Sequence, residues 1–312
     1  MYFEFEKNLS FDRMSERLSR RGIEDSKFML ELRNESLSNV DPYDDDLSDD
    51  TKDMIKLEMD SMWYFFRDIL RVPTQGGGFA PYKLNEANLE LLTLLTMRQS
   101  AWVTTPRQSL TRFTLAAWIV WNSMRWFGKN YMTLRIISKD IDTSISFKET
   151  LASSIFKSIP SYIRSDTTVE ELFSREFKYV RTEKCDSKLD ADRINSASTS
   201  SMDLNIYLDA ESIPHIYECY STIPQSIFIS TVADYRDAEY NGALDVLNTA
   251  YPFTRDLYSG DYAHRNDNPY KLFHIKKQLC QLLDAPNEYD TMCAALGWDE
   301  DVIRREVLLE RK

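Results

Sequence analysis

Short apolar runs alternate with longer helical patterns through residues 85–231, and this alternation constrains the fold more than any other feature of the sequence. Four runs have the composition of buried strands, at 100–106, 131–138, 205–209 and 226–231. Apolar residues at helical spacing precede or separate them, at 85–98, 108–127 and 141–159. Strands that alternate with helices in this way form parallel sheets covered by helices. The sequence therefore predicts an α/β fold with a parallel sheet.

The chain carries enough apolar residues for a sizeable core but very little glycine. Its 312 residues are 43% hydrophobic and 28% charged, a balance that indicates one large domain or two ordinary ones. Only 8 residues are glycine, whereas average usage of about 7% would give roughly 22. Loops that wrap a phosphate with backbone N–H groups usually depend on glycine, because a side chain would intrude. The composition therefore excludes most glycine-rich phosphate loops.

The net charge of −12 at pH 7 opposes nucleic-acid binding, which draws much of its strength from lysine and arginine on phosphates. We therefore expect any contact with DNA to be weak or indirect. The four cysteines form no C-x-x-C pair and the three histidines do not cluster with them. No metal site is expected, and the thiols are expected to be reduced. No apolar run reaches the roughly 18 residues of a membrane helix, so no membrane partner is expected.

Residues 1–50 are predicted to form a helical and acidic extension. Six of the ten residues from 41 to 50 are aspartate, which invites a calcium interpretation. A calcium loop of the EF-hand type needs glycine at its sixth position and glutamate at its twelfth, and neither fits here. The run is therefore interpreted as a solvated linker, with Ser48 or Asp49 capping a helix predicted over 50–70. The main domain is predicted to span residues 51–312.

Ligands of parallel α/β sheets bind outside the carboxyl ends of the strands, and a turn at 104–112 lies at one of these ends. It leads into a helix whose N-terminus presents free N–H groups and a partial positive charge. A Walker A loop would add glycines, a lysine for the terminal phosphates and a Ser or Thr for magnesium. The glycines and the lysine are missing. Composition alone therefore favours an ordinary strand-to-helix turn.

A second motif, Asp209-Ala210-Glu211, follows the strand at 205–209 and is similar to a Walker B strand. That motif needs one acid for the metal shell and a second one that orients the attacking water. Here the two acids are separated by Ala210. Because side chains alternate in an extended segment, we expect Glu211 to point away from the place that an acid at position 210 would reach.

Seven segments, in a fixed order along the chain, carry a family resemblance. They are W-Y-F-F-R-D-I-L-R-V-P at 63–73, three glycines at 76–78, Y-K-L-N-E-A-N-L at 82–89, T-P-R-Q-S at 105–109, the strand and I-P segment at 205–214, F-I-S-T at 228–231 and D-V-I-R-R-E-V-L-L at 301–309. Together they resemble the ATPase part of the large terminase subunit of tailed bacteriophages. The resemblance covers residues 50–312 and implies a RecA-like fold, the parallel sheet of P-loop NTPases.

The resemblance also implies a setting for the protein. Members of this family use ATP hydrolysis to drive viral DNA through a portal into a procapsid, and they usually carry a C-terminal nuclease domain. No nuclease domain is expected within this chain. The implied partners are packaging proteins, namely the terminase or the portal, and the implied location is the host-cell cytoplasm during infection.

The chain departs from the family pattern at the Walker A position. The resemblance assigns nucleotide binding to Arg107, Gln108, Ser109 and Arg112. The family carries Gly-Lys-Ser/Thr immediately after its Arg-Gln-Thr, and this chain has Leu110, Thr111 and Arg112 there. Leucine obstructs the approach of the backbone to phosphate, and threonine removes the cation. Arginine supplies charge but cannot ligate a metal.

The other two motifs are degenerate as well. The resemblance assigns the catalytic acids to Asp209 and Glu211. Either Ala210 stands where the catalytic glutamate belongs, or Asp209 is that residue and Leu208 replaces the first acid. Coupling is assigned to Ser230 and Thr231, in a segment that lacks the usual proline.

These losses favour a terminase-like pseudo-ATPase that acts by binding a packaging component, with no cofactor expected. Two alternatives stay open. The first is a working packaging ATPase that uses ATP and magnesium, in which Arg112 or Arg107 replaces the lysine and Asp209 with Glu211 forms the acid pair. The second is a regulatory or host-interaction protein built on the same fold.

Overall fold

The structure, a computed structural model, describes residues 7–74, 77–106, 109–126, 134–164, 180–201, 204–220, 225–230, 242–258 and 272–277. The chain divides into two units. The first unit comprises Met1–Leu84, Leu115–Tyr131 and Glu149–Arg175. The second unit comprises Asn85–Thr114, Met132–Lys148 and Glu176–Lys312.

The α-helices of the described residues are α1 Ser10–Arg20, α2 Asp49–Glu58, α3 Met62–Tyr64, α4 Glu86–Thr96, α5 Thr111–Trp126, α6 Ile141–Ile145, α7 Ser153–Ser158, α8 Ser161–Arg164, α9 Lys188–Ser201, α10 Ile216–Tyr220 and α11 Ala243–Asn248. Two π-helical segments, Phe65–Ile69 and Ser146–Ala152, continue α3 and α6. Short 3₁₀ turns cover Glu35–Asn39, Ala210–Ser212 and Arg255–Leu257.

The first unit confirms the predicted cap but not the single long helix at 50–70. The Ser48 side chain accepts a hydrogen bond from the N–H of Thr51 and begins α2. That helix ends at Glu58, and the Ser61 side chain caps a new helical start by accepting from the N–H of Tyr64. Strands β1 Arg71–Pro73 and β2 Phe79–Pro81 then pair antiparallel.

The second unit is built on a seven-stranded sheet. Its strands are β3 Ser100–Thr104, β4 Leu134–Ser138, β5 Val180–Lys184, β6 Leu204–Leu208, β7 Gln225–Ser230, β8 Tyr251–Pro252 and β9 Leu272–Lys276. The order across the sheet is β5-β4-β6-β7-β3-β9-β8, and every neighbouring pair is parallel. The predicted parallel α/β sheet is therefore confirmed, and β7 lies between the strands that carry the two candidate motifs. This arrangement is consistent with the RecA-like fold that the resemblance implies.

Three aromatic rings hold the central strands in register. Trp102 of β3 pairs with Phe228 of β7, which pairs in turn with Tyr207 of β6. The rings are stacked, with centroids 4.8 Å and 4.4 Å apart. Buried residues of α9, α10 and α11 complete this core. Because a slip of one residue would turn each ring to the other face, the stack fixes where the three strands end.

Candidate functional site

A cavity of about 530 Å³ lies at the carboxyl ends of β3, β6 and β7. This is the edge at which ligands of parallel α/β sheets bind. Its lining residues are Thr105, Pro106, Ser109, Thr111, Arg112, Asp209, Glu211, Ser212, Ile229 and Ser230. The turn after β3 and the turn after β6 supply most of them, so the structure brings the two candidate motifs to one place.

An ion pair joins the two motifs. The guanidinium Nη2 of Arg112, in the first turn of α5, donates to the carboxylate Oδ1 of Asp209, directly after β6. The two side chains are 44% and 39% exposed. Ion pairs with this much solvent contact contribute about 0–1 kcal/mol to stability. The pair can therefore be rearranged at little cost, and it joins the arginine of the first motif to the first acid of the second motif, beside Glu211.

Three buried hydroxyls form a closed triangle under the turn after β3. The Oγ of Ser109 lies 2.9 Å from Oγ1 of Thr105 and 2.7 Å from Oγ1 of Thr111, and the two threonine oxygens are 2.9 Å apart. The carbonyl of Ser109 accepts from the side-chain amides of Asn85 and Asn88, each at 2.9 Å. Thr111, which the resemblance aligns with the Walker A lysine, is therefore held within the turn by its hydrogen bonds.

Leu110 takes a backbone conformation that glycine normally supplies. Its φ is +60°, in the left-handed region where an L-residue is strained by roughly 1–2 kcal/mol. Its carbonyl accepts from the N–H of Thr114 at 2.7 Å, so the turn leads directly into α5. The turn therefore follows a backbone path that is usual for glycine, although the residue is leucine.

The turn after β6 differs from the extended segment expected from the sequence. Asp209 has φ +51°, and its carbonyl accepts from both the N–H and the Oγ–H of Ser212 at 2.8 Å. The chain turns at Asp209, and both acids line the same cavity. Ala210, where a catalytic glutamate would stand in one register, is fully buried in the core.

Ser230 connects the cavity with the core of the sheet. Its Oγ accepts from the indole Nε1 of Trp102 at 2.8 Å and lies 3.2 Å from Oγ1 of Thr104. That threonine oxygen is 3.0 Å from Nε2 of His274 on β9. The residue predicted to act in coupling is thus hydrogen-bonded to the neighbouring strand.

The structure brings together five of the predicted site residues in one cavity, namely Ser109, Arg112, Asp209, Glu211 and Ser230. The others, Arg107, Gln108 and Thr231, lie outside the described residues. Sequence reasoning did not identify Thr105 and Ser212 as lining residues, nor the inward position of Thr111. A signal was present, since five of the eleven residues from 104 to 114 are serine or threonine.

The magnesium ion that the resemblance implies does not fit the residues of this cavity. Magnesium in P-loop sites is bound through a Ser or Thr hydroxyl of the loop and an acid after the second strand. Here Arg112 stands where the resemblance places that hydroxyl, and its guanidinium donates to Oδ1 of Asp209. Within the described part of the chain, no group of three or more His, Cys, Asp or Glu side chains could hold a metal ion.

A second charged cluster lies at the other side of β3. Lys277 follows β9, and its Nζ lies 2.9 Å from Glu86 and 2.7 Å from Glu90, both buried on α4. Burial raises the pKa of Glu90 to about 7, although Lys277 opposes the shift. This cluster, which we call the lysine–glutamate cluster, borders a separate cavity of about 270 Å³.

The fold and the cavity define an α/β protein with a ligand-sized pocket at the carboxyl ends of its parallel strands. Comparison with solved structures finds similarity to the large terminase ATPase domain of Thermus phage P74-26 and to an arginine-to-alanine variant of that domain. In both cases 14% of residues are identical, the TM-score is 0.43, and the match covers 74% of this chain and 95% of the other. No family model matches the chain, and no curated protein matches it by sequence. No helix among the described residues is long and apolar enough to cross a membrane.

Proposed function

We propose that this chain is a terminase-like protein related to viral DNA packaging, which has lost ATP hydrolysis and acts by binding. The ordered resemblance over residues 50–312 supports the family relation. The parallel sheet supports it too, because it gathers the motif positions at one edge.

The observation that supports a loss of ATP hydrolysis is the ion pair between Arg112 and Asp209. It lies beside Thr111, whose hydroxyl is bonded within the turn. Phosphoryl transfer needs a cation on the terminal phosphates, a metal held by an acid, and a group that positions the attacking water. The lysine is replaced by a buried hydroxyl, and the acid is engaged by arginine. Losses of this kind remove several kcal/mol of transition-state stabilisation, a factor of about 10³ or more in rate.

A second candidate function is a packaging ATPase with a deviant loop. The observation that favours it is the shared cavity of Asp209 and Glu211, which places two acids within one pocket. In that case Arg112 would supply the missing charge, and both acids would act on magnesium and water.

ATP hydrolysis by the full chain separates the two candidates. We expect turnover at the background level with magnesium and ATP, and no further loss in Glu211→Gln. A rate of about 1 s⁻¹ or more that falls in Glu211→Gln would reject the proposal and favour the deviant loop. The control is the same measurement on Glu24→Gln, an exposed glutamate outside the cavity.

The binding role predicts a packaging partner in the cytoplasm of the infected host. The portal and the active terminase subunit are the two components to test by affinity capture with the purified chain. Recovery of either one with nucleotide absent supports the proposal. Capture that depends on ATP hydrolysis would contradict it.

A further inference from the structure

We infer that Cys185 and Cys219 form a modification site, at which a hydroperoxide joins the two thiols as a disulfide. The inference goes beyond the proposed function and does not depend on it, because neither cysteine lines the cavity at the ends of β3, β6 and β7. It names a class of oxidant and a covalent product that can be measured directly.

The first step of the argument is the contact between the two sulfur atoms. Cys185 follows β5 directly, and Cys219 lies on α10, 34 positions further along the chain. Their Sγ atoms are 3.5 Å apart, and both residues are free thiols. The sulfurs of a disulfide are about 2.05 Å apart, so the two atoms have to approach by only about 1.5 Å.

The second step is that backbone contacts fix the position of each cysteine. The N–H of Cys185 donates to the carbonyl of Ser138 at 2.9 Å, which joins this residue to the end of β4. The carbonyl of Cys219 accepts from the phenol of Tyr207 at 3.2 Å, and Tyr207 belongs to the aromatic stack. The contact between the thiols therefore follows from the sheet and its core.

The third step concerns the rate of the reaction, which burial limits. Cys185 and Cys219 are 0% and 1% exposed. The Sγ–H of Cys185 donates to the carbonyl of Pro214 at 3.7 Å. The hydrogen bond with Cys185, together with burial, raises the pKa of the Cys219 thiol well above its ordinary value. Because the thiolate is the nucleophile, we expect slow oxidation by a small oxidant that enters through local opening.

Hydrogen peroxide is such an oxidant, and it completes the reaction in two steps. One sulfur attacks the O–O bond: an S–O bond forms, the O–O bond breaks, and the leaving hydroxide takes the thiol proton as water. The second sulfur attacks the resulting sulfenic acid: the S–S bond forms, the S–O bond breaks, and a second water leaves. The thiols lose two electrons and two protons, and the peroxide is reduced to two waters.

The contact between the sulfurs also decides which product forms. A sulfenic acid without a neighbouring thiol is oxidised further to sulfinic acid. Here the second thiol lies at 3.5 Å, so it should capture the sulfenic acid before a second peroxide arrives. The disulfide is therefore the expected product at this site.

The disulfide closes a loop of the chain that carries two acids of the cavity. Between Cys185 and Cys219 lie α9, β6 and the turn with Asp209 and Glu211. Closing a loop lowers the entropy of the unfolded chain and thereby stabilises the folded one. Oxidation should therefore raise the thermal stability of the protein.

The test is treatment of the folded full chain with hydrogen peroxide, alkylation of the remaining thiols, and peptide mapping by mass spectrometry without reduction. We expect one linked pair of peptides that contains Cys185 and Cys219, with a loss of two hydrogen atoms that dithiothreitol reverses. The thermal midpoint of the oxidised chain should exceed that of the reduced chain by about 5 °C or more.

Cys219→Ala is the matched control, because it leaves Cys185 without its partner sulfur. In this variant we expect Cys185 to gain oxygen instead of forming a link, and peroxide should not raise the thermal midpoint. Cys185→Ala gives the reciprocal control at Cys219. Urea denaturation of both reduced variants shows that they are folded before peroxide is added.

The inference is overturned if Cys185 and Cys219 stay free under conditions that oxidise the thiols of the urea-unfolded chain. A link from either residue to Cys280 or Cys293, which lie outside the described residues, also overturns it. So does a thermal midpoint that does not rise with the link, or one that rises equally in Cys219→Ala. ATP turnover, which decides the proposed function, has no bearing on these outcomes.

Discussion

Two charged clusters lie near the central strand β3, and they differ in how much solvent reaches them. The ion pair between Arg112 and Asp209 is about two-fifths exposed and borders the larger cavity. In the lysine–glutamate cluster, Lys277 is 19% exposed and its two carboxylate partners are 5% exposed or less. Exposed pairs exchange partners with water or ligand at little cost, whereas breaking a buried pair leaves an uncompensated charge. The first pair is thus suited to a site and the second to holding the fold.

The largest expected effect comes from removing the lysine of the buried cluster. Lys277→Ala leaves Glu86 and Glu90 buried beside each other without their cation, and we expect a loss of about 3–5 kcal/mol in the free energy of unfolding. Urea denaturation measures it. The control is Lys276→Ala, the exposed neighbouring lysine, which should change stability by less than about 0.5 kcal/mol. A small effect of Lys277→Ala would mean that the two clusters do not differ.

The next effect is a pH dependence. The pKa of Glu90 rises from 4.5 to about 7 because the side chain is buried. The folded state therefore holds a proton that the unfolded state releases at lower pH. The contribution of Glu90 to the free energy of unfolding is fully present below about pH 4.5 and is lost as the pH rises through about 7.

Glu90→Gln removes the titrating group, so its free energy of unfolding should fall less between pH 5 and pH 8, by up to about 3 kcal/mol. Urea denaturation at a series of pH values measures the slope. The exposed acid Asp192 gives the control Asp192→Asn, whose slope should match that of the unmodified chain. An unchanged slope in Glu90→Gln would show that burial does not perturb this carboxyl.

A smaller effect is expected at the turn after β3. Leu110→Gly relieves the left-handed strain but adds freedom to the unfolded chain, so we expect a net gain of up to about 1 kcal/mol. Leu189→Gly, on an exposed helical position of α9, should instead lose about 0.5–1 kcal/mol. Thermal unfolding of both variants gives the comparison. Equal losses in the two would show that Leu110 is not strained.

The smallest effect on stability is expected for the exposed ion pair between Arg112 and Asp209. Arg112→Ala should change the free energy of unfolding by less than about 1 kcal/mol, because the pair is exposed. The same denaturation experiment that reveals the loss in Lys277→Ala measures it. A loss as large as that of Lys277→Ala would mean that the exposed pair is also structural.

The central strands were predictable because they are buried on both faces and therefore read as apolar runs. β3 and β4 fall within the predicted segments, and β6 and β7 each begin one residue before theirs. The sequence analysis did not predict β5, an edge strand with the composition V-R-T-E-K. Its charged side chains interrupt the apolar run that marks a buried strand. The break in the helix predicted over 50–70 was not predicted either. It depends on Ser61, which caps a new helical start within a continuous helical pattern of apolar residues.

The site was predictable as a set of positions but not as a set of contacts. The rule that ligands bind at the carboxyl ends of parallel strands placed Ser109, Asp209 and Ser230 together. The bond between Arg112 and Asp209 joins residues 97 positions apart, and no local pattern indicates it. The hydroxyl triangle likewise surrounds the left-handed turn at Leu110, and no feature of the sequence indicates that this leucine takes a conformation usual for glycine.

The stacked rings of Trp102, Phe228 and Tyr207 have a consequence for how this pocket can change. Each ring lies within three residues of a residue that lines the cavity, namely Thr105, Ser230 and Asp209 respectively. The apolar packing of these rings therefore sets where the strand ends lie, and the polar bonds of the turns act within that frame. The lining side chains can therefore be exchanged while the stack stays in place, so pockets of different chemistry can share a single scaffold.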